Sequence, residues 1–255
     1  PPVQNLLRRE VTAYASKATG MQIQVERIDL RFPLNLLVRG VEVIQQPDTL
    51  LSLESLNVRV QAWPLLKGKV EVDEVTLSQV AVNSANLIEG MQIKGVLGRF
   101  FLQSHGVDLS NETAVVNRTE LSDTHIQLLM TDTTTTPKDT TASAPVNWKV
   151  NLHQLKLKNV SFGMKLPADS MKMAAYIGEA TIDDAKADLK NQFYGLKQFL
   201  LSGASASYDT GEAQPSEGFD ASHMAVRNIR IGLDSLLYEG RNMNAVIREI
   251  TMEER

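Results

Sequence analysis

The sequence contains no cysteine, which excludes a disulfide framework and any metal site built on thiolates. Aromatic residues make up only 5% of the 255 residues, too few to favour a site that stacks bases or sugars on rings. The net charge is −4 and the basic residues are scattered, so the basic surface typical of nucleic-acid binding is missing. No run of 18 apolar residues occurs, so the sequence predicts no transmembrane helix within these residues.

Recognisable catalytic and metal-binding patterns are also missing. The four histidines fall in no H-E-x-x-H pattern and at no ligand spacing, and we expect polar strand positions for them: His105, His125, His153 and His223. The densest acidic group lacks the central glycine of a calcium loop and is interpreted as a solvated helix face: Asp183, Asp184 and Asp188. We therefore predict no catalytic residue, no metal and no cofactor. A hydrolase is the enzyme-class alternative, and it would need a histidine with a nearby nucleophile.

Alternation of apolar and polar residues is the dominant pattern of the chain. The stretch DTLLSLESLNVRVQAWPLLKGKVEVDEVTLSQVAVN, residues 48–83, alternates almost without interruption and predicts strands over 50–63 and 69–83. The same pattern predicts further strands at 21–32, 38–46, 91–103, 106–117, 123–131 and 148–166. The sequence is therefore mainly β.

Helical periodicity is confined to two places. Residues 3–18 have apolar positions at helical spacing, and Gly20 follows where a C-terminal cap belongs. This amphipathic helix either plugs one end of a β structure or begins just outside a membrane. A second helical stretch is expected near Asp183–Gln198.

Several strands change the parity of their alternation. One extra residue separates two alternating runs at Glu26-Arg27, at Arg39-Gly40 and at Lys158-Asn159, as a β-bulge would require. A short pattern, apolar-x-apolar-x-Asn, recurs three times. Because Asn tolerates a left-handed backbone, we predict a bulge or bend within a long strand at each of its positions: Asn111, Asn159 and Asn228.

Composition divides the chain into four segments. Residues 1–20 form the N-terminal helix, which we expect to follow a membrane anchor removed from this fragment of a longer protein. Residues 21–130 form the first β units, and the Thr-rich segment 131–145 is expected to be a flexible loop. Residues 146–255 continue the β units, interrupted by a second loop at 211–218, and are expected to be truncated at their C-terminal end.

The order of motifs between residues 20 and 130 resembles the start of AsmA-like proteins, and most closely the TamB (translocation and assembly module) branch of that family. A strand ending RFPLNLLVRGVEV is followed by DTLLSLESLNVRV and then by WPLLKGKVEVDEVTLSQVAVN. The residues that match the hinge and strand pattern of the family are Pro64, Leu65, Leu66, Gly68, Val70, Val72, Val75 and Leu77. Beyond residue 130 only the succession of hairpins is similar.

The resemblance implies a fold and a cellular location. The fold is a long, curved, twisted antiparallel sheet that forms an open apolar groove (β-taco-like), with the N-terminal helix and one or two short helices. The implied location is the periplasm of a Gram-negative bacterium, with the full-length protein anchored in the inner membrane. The resemblance also implies transport of phospholipid between the membranes, or assembly of outer-membrane proteins with a barrel partner of the TamA type.

A sheet with one apolar face must cover that face, and acyl chains bound in an open groove could do so. We predict a monomeric, non-enzymatic lipid-transfer module that binds phospholipid and no nucleic acid. An assembly scaffold for outer-membrane barrels is the alternative function, and an ordinary β-sandwich is the alternative fold. The residues expected to line the groove are Ile28, Leu30, Val58, Val60, Val70, Val72, Val150, Leu152, Leu155 and Leu157.

Overall fold

The structure is a computed structural model that describes residues 9, 12–13, 16–17, 19–32, 34–61, 72–85, 87–88, 90–108, 111–130, 147–211 and 222–254. The described chain is mainly β, with one short 3-10 helix at Pro167–Asp169 and a helical backbone at residues 9, 12–13, 16–17 and 19. Its strands are β1 (Gln22–Arg31), β2 (Asn35–Gln45), β3 (Asp48–Val60), β4 (Val72–Asn83), β5 (Met91–Asp108), β6 (Thr113–Met130), β7 (Lys149–Leu166), β8 (Met171–Asp188), β9 (Phe193–Leu196), β10 (Gln198–Asp209), β11 (His223–Glu239) and β12 (Asn242–Glu254). The helix expected over 3–18, the hinge residues 64–70, the Thr-rich segment 131–145 and residues 212–221 lie wholly or largely outside the described residues.

All twelve strands belong to one sheet, in the order β1-β2-β3-β4-β5-β6-β7-β8-β10-β11-β12. Strand β9 pairs with β8 and β11 and is separated from β10 by Lys197 alone. Strand order therefore follows chain order, as expected for a chain that adds successive hairpins. The strand ends define two rims. The upper rim carries the turns at 46–47 and 167–170, and the lower rim carries those at 189–192 and 240–241.

The expectation of a purely antiparallel sheet is wrong at one place. Strands β6 and β7 pair in parallel, with Thr113 opposite Lys149 and Leu129 opposite Lys165, so the sheet is mixed. Residues 131–148 connect the two strands, and a connection of a dozen or more residues is what a parallel pair requires.

The sheet forms a single layer among the described residues. The buried apolar side chains are few and mostly small, namely those of Ile28, Leu50, Ala114, Ala180 and Ala204. A second sheet packed on the first would bury large Leu and Phe side chains. Since all described strands belong to one sheet, a two-sheet sandwich is not formed by this part of the chain.

A line of bends crosses the sheet from β2 to β11. Six residues on six strands have a left-handed backbone there, with φ between 50° and 61°: Gly40, Gln79, Asp123, Asn159, Gly203 and Asn228. The bends predicted at Arg39-Gly40, Asn159 and Asn228 are therefore present. Between β1 and β2, however, Val25 pairs with Val41 and Arg27 with Arg39 without a register shift. On both strands, successive side chains of the same face are here three residues apart instead of two. Neither strand therefore carries the unmatched extra residue of a bulge.

Three local predictions from the sequence are wrong. Asn111 lies in the turn between β5 and β6 and not within a strand, and the strand expected over 106–117 is divided there. The helix expected near Asp183–Gln198 is instead the end of β8, a turn and β9. The acidic group of Asp183, Asp184 and Asp188 therefore lies on a strand, where alternation sends neighbouring side chains to opposite faces.

Candidate functional site: an apolar sheet face

One row of apolar side chains crosses the entire sheet. Residues directly opposite each other on paired strands share a face, so register identifies the members of each row. The central row has one apolar residue on each of eleven strands: Ile28, Val38, Leu56, Leu77, Phe100, Leu121, Leu157, Ala180, Leu201, Ile231 and Ile250. We call the face that carries this row the apolar face.

A second row lies two residues further along each strand toward the lower rim, with a three-residue step on β12. Because side chains alternate, it belongs to the same face. Ten of its eleven members are apolar: Leu30, Leu36, Val58, Val75, Leu102, Thr119, Leu155, Ile182, Phe199, Leu233 and Ile247. The two rows together form an apolar band that runs across the strands.

The opposite face carries charged pairs. Arg59 lies 2.8 Å from Glu74, and Arg99 lies 3.6 Å from Glu120. The Arg99 guanidinium also lies 5.5 Å from the centre of the Phe101 ring. Such pairs keep their solvation at an exposed surface. The sheet is therefore amphipathic across its width.

The line of bends preserves this division of the faces. On β1, Val25 and Ile28 are less exposed than Glu26 and Arg27, which lie between them and are both exposed. The corresponding positions on neighbouring strands are polar or Gly, and the amide of Asn159 donates to the Asp123 carboxylate at 2.8 Å. The three-residue step thus returns apolar side chains to the apolar face beyond each bend. Toward the upper rim, the apolar face continues through Val25, Val41, Leu53, Val80, Leu97, Thr124, Val160 and Ile177.

Register brings together five of the residues predicted to line a groove. Ile28 and Leu157 belong to the central row, while Leu30, Val58 and Leu155 belong to the second row. Ile28 is buried, and Leu30, near the end of an edge strand, is 55% exposed.

The other predicted lining residues lie nearer the lower rim. Val60 is two residues from Val58 and pairs with Val72. Leu152 and Val150 pair with Ala185 and Ala187, beyond another three-residue step. The predicted residues Val60, Val72, Val150 and Leu152 are all half-buried. Val70 lies outside the described residues.

A polar cluster lies at this second three-residue step, on the lower half of the sheet. His153 Nδ1 lies 3.1 Å from Asp184 Oδ1, and Lys197 Nζ lies 3.6 Å from Asp184 Oδ2. The hydrogen bond from His153, aided by the charge of Lys197, lowers the pKa of Asp184. Within the described ranges no three acidic or histidine side chains are placed to hold a metal ion.

Two histidines contact serines, and a histidine next to a nucleophile is the first requirement for a hydrolase. His125 Nδ1 lies 2.6 Å from Ser161 Oγ, and no carboxylate among the described residues contacts this histidine. His223 Nδ1 lies 3.0 Å from Ser222 Oγ, and His223 Nε2 lies 3.2 Å from Asp209. Acyl transfer also requires preorganised donors for the oxyanion and a nucleophile that faces the substrate. Asp209 and His223 line a recess, whereas Ser222 does not.

That recess, at the upper rim between β5 and β11, was missed by the sequence reasoning. Its volume is about 840 Å³, and its lining combines Leu128, Met164, Met173, Tyr208 and Met224 with lysines. Leu128, Met164, Met173, Tyr208 and Met224 form one register row, which continues the apolar face. Alternation places each of them on the apolar side of its own strand, but only the pairing of strands shows that they are adjacent.

Neither the protein-family models nor the curated proteins searched give a match to this chain. The similarity to AsmA-like proteins therefore stays a prediction based on the motif order. In the part of the chain that the structure describes, no helix has the length and apolar character needed to cross a membrane.

Proposed function

We propose that this chain is a non-enzymatic lipid-transfer module that carries phospholipid acyl chains along its apolar face. The observation that carries the proposal is the central row, which is apolar on all eleven strands from Ile28 to Ile250. Eleven strands at the usual spacing correspond to a path of about 48 Å, several times the width of an acyl chain. Such a row suits a ligand that slides along the face.

Energetics favours acyl chains as the occupant. The side chains of the two rows are mostly half-buried, so apolar surface is left to be covered. Each methylene group moved from water onto such a surface contributes about 0.8 kcal/mol. We propose that the sheet curves so that this face lines an open groove, with the helix expected over 3–18 at its β1 end.

The proposed cellular location is based on the resemblance to AsmA-like proteins. We propose that the chain works in the periplasm, attached to the inner membrane through a segment that precedes it. Phospholipid would move across the strands along the path between β1 and β12. A barrel of the TamA type is the proposed outer-membrane partner of the whole protein.

Photocrosslinking at matched positions tests the lipid path. A photoreactive residue replaces Leu56, Phe100 or Ile231 on the apolar face, and in controls it replaces the adjacent Asn57, Arg99 or Arg230 on the opposite face. Protein purified with phospholipid should crosslink lipid from the first set and not from the second. Equal lipid crosslinking from both sets, or none from either, would falsify the proposed path.

An assembly scaffold is the second candidate function, and the edge strand β12 favours it. In the described sheet β12 pairs only with β11, so its outer edge offers unpaired backbone groups. Five of its side chains are more than half exposed: Met243, Val246, Ile247, Ile250 and Met252. An exposed apolar edge can add a strand from another protein. Crosslinkers at 243–252 that capture a barrel protein, with no lipid crosslinked from Phe100, would favour the scaffold over the lipid path.

A further inference from the structure

The edge strand β12 has an unusual order of side chains at its centre. Ile247 and Ile250 belong to the apolar face and are three residues apart, with Arg248 and Glu249 between them. Gly232 follows the central-row residue of β11 and therefore belongs to the opposite face. A Cβ at Gly232 would lie 3.6 Å from the Cβ of Arg248 and 3.8 Å from that of Glu249, so both charged side chains lie on that opposite face as well.

This order, apolar-basic-acidic-apolar, is its own complement when two copies of β12 pair in antiparallel orientation. A two-fold axis between positions 248 and 249, perpendicular to the sheet, sets Arg248 of one copy opposite Glu249 of the other, and the reverse. It also sets Ile247 opposite Ile250, twice. Residues further along the strand share a face in the same pairing, namely Val246 with Thr251 and Ala245 with Met252.

The three-residue step makes this register unique. An axis at Arg248 would set two guanidinium groups opposite each other, and an axis at Glu249 would do the same with two carboxylates. Every other register that pairs both Ile247 and Ile250 sets at least one of them opposite a residue of the other face. Such a mismatch would turn apolar side chains away from the apolar face of the second copy.

The same pairing continues the apolar band from one copy into the next. The central row ends at Ile250 and the second row ends at Ile247. Pairing of Ile250 with Ile247 of a second copy joins the central row of one chain to the second row of the other. Both side chains, together with Met252, are more than half exposed in the single chain, so the pairing would cover apolar surface.

We propose that the outer edge of β12 binds a second copy of this chain, with the two-fold axis between Arg248 and Glu249. The two sheets then form one sheet with an uninterrupted apolar band. Arg248 also contacts Asp234 of its own chain, and its guanidinium has enough N–H donors to serve both carboxylates. This dimer replaces the monomer expected from the sequence, and its formation does not depend on the proposed lipid path.

Charge reversal at the axis tests the dimer, with sedimentation velocity as the measurement. Arg248→Glu and Glu249→Arg each set like charges opposite each other twice, so each should weaken the dimer about tenfold or more. The double variant Arg248→Glu/Glu249→Arg restores both opposite-charge pairs and should dimerise like the wild type. An equal mixture of the two single variants should form a mixed dimer. Arg241→Glu makes the same charge change in the turn before β12 and should leave the dimer unchanged.

Disulfide crosslinking tests the register, because the wild-type chain contains no cysteine. Directly opposite residues of an antiparallel pair have Cα atoms about 5 Å apart, within the range of a disulfide. Ile247→Cys mixed with Ile250→Cys should therefore give a linked dimer under oxidising conditions. Ile247→Cys mixed with Met252→Cys, which lies two residues further along the strand, should not.

Several results would overturn the proposal. A wild-type chain that stays monomeric at its highest soluble concentration would show that β12 does not bind a second copy. A dimer that neither single variant weakens, or that the double variant fails to restore, would be formed by another surface. Crosslinking of Ile247→Cys to Met252→Cys in preference to Ile250→Cys would contradict the register. None of these results concerns lipid, so each leaves the proposed lipid path to its own test.

Discussion

The side-chain amide of Asn159 donates a hydrogen bond to the carboxylate of Asp123 at 2.8 Å, and both residues have a left-handed backbone. They lie on the parallel strands β6 and β7, at the same level of the line of bends. The contact joins the two positions at which consecutive strands change the parity of their alternation. It therefore helps to hold the central row and the upper part of the apolar face on one side of the sheet.

Replacement of Asn159 should show how strongly the bend depends on its backbone conformation. Asn159→Gly keeps the left-handed conformation and loses the hydrogen bond, so we expect a loss of about 1 kcal/mol or less. Asn159→Val places a β-branched residue where it is sterically strained, and the loss should reach about 2–3 kcal/mol. Urea unfolding followed by circular dichroism measures both. Equal losses in the two variants would show that the bend does not require a left-handed residue there.

Gly98 on β5 should tolerate no side chain. A Cβ at this position would lie 2.7 Å from the Asp123 Cβ and 3.0 Å from the Asp123 carbonyl oxygen. Gly98→Ala should therefore destabilise the protein by about 1–3 kcal/mol, because strands β5 and β6 would have to separate locally. Gly163→Ala is the matched control, since its Cβ would meet nothing closer than 3.9 Å. If both variants melt at the same temperature, the close approach at the bend is not required for stability.

A carboxylate on the apolar face should abolish lipid binding without unfolding the protein. Val58 and Leu155 are half-buried members of the second row, so the charge in Val58→Asp or Leu155→Asp can stay hydrated on an open face. We expect a loss of about 1 kcal/mol, compared with several kcal/mol for an unpaired carboxylate in a closed core. Thermal melting measures the stability, and native mass spectrometry measures the retained lipid. Thr76→Asp, on the opposite face of β4, should keep both its fold and its lipid.

Two outcomes would contradict this account of the apolar face. Unfolding of both row variants would mean that the face is packed against something and that the open groove is wrong. Normal lipid retention by two folded variants would mean that the acyl chains follow another surface.

Acid should weaken the polar cluster at Asp184. Its pKa is lowered in the folded protein by the hydrogen bond from His153, with Lys197 adding to the effect. A group with a lowered folded pKa stabilises the protein above its unfolded pKa, and this contribution disappears as the pH falls through the folded value. The loss should therefore occur below the ordinary aspartate value of 3.8. Because the carboxylate is solvent-exposed, the effect should be small and should shrink with added salt.

Melting curves of the wild type and of Asp184→Asn, from about pH 6 down to about pH 2, test this prediction. The two proteins should differ at the upper end and converge at the lower end. A difference that persists at the lowest pH would assign the stabilisation to something other than the ionised carboxylate.

Local pattern predicted much of the secondary structure. Alternation predicted strands over 50–63 and 69–83, where the structure has β3 and β4, because a half-buried strand requires an apolar residue at every second position. Asn159 and Asn228 were identified as bends because Asn tolerates the left-handed conformation that few other residues adopt. Gln79 and Asp123 adopt the same conformation and were missed, since their residue types do not distinguish a bend from an exposed strand position.

The sequence by itself determined that the chain is mainly β and that its strands have one apolar side, because both properties are periodic and local. Only the tertiary structure decided the pairing of strands. It placed Val58 and Leu155 in one row although 97 positions separate them in the sequence, set β6 parallel to β7, and placed Lys165 opposite Lys172. The physical reason is that register depends on hydrogen bonds between backbones distant in sequence, and a shift of one residue would move a whole strand's apolar side chains to the opposite face.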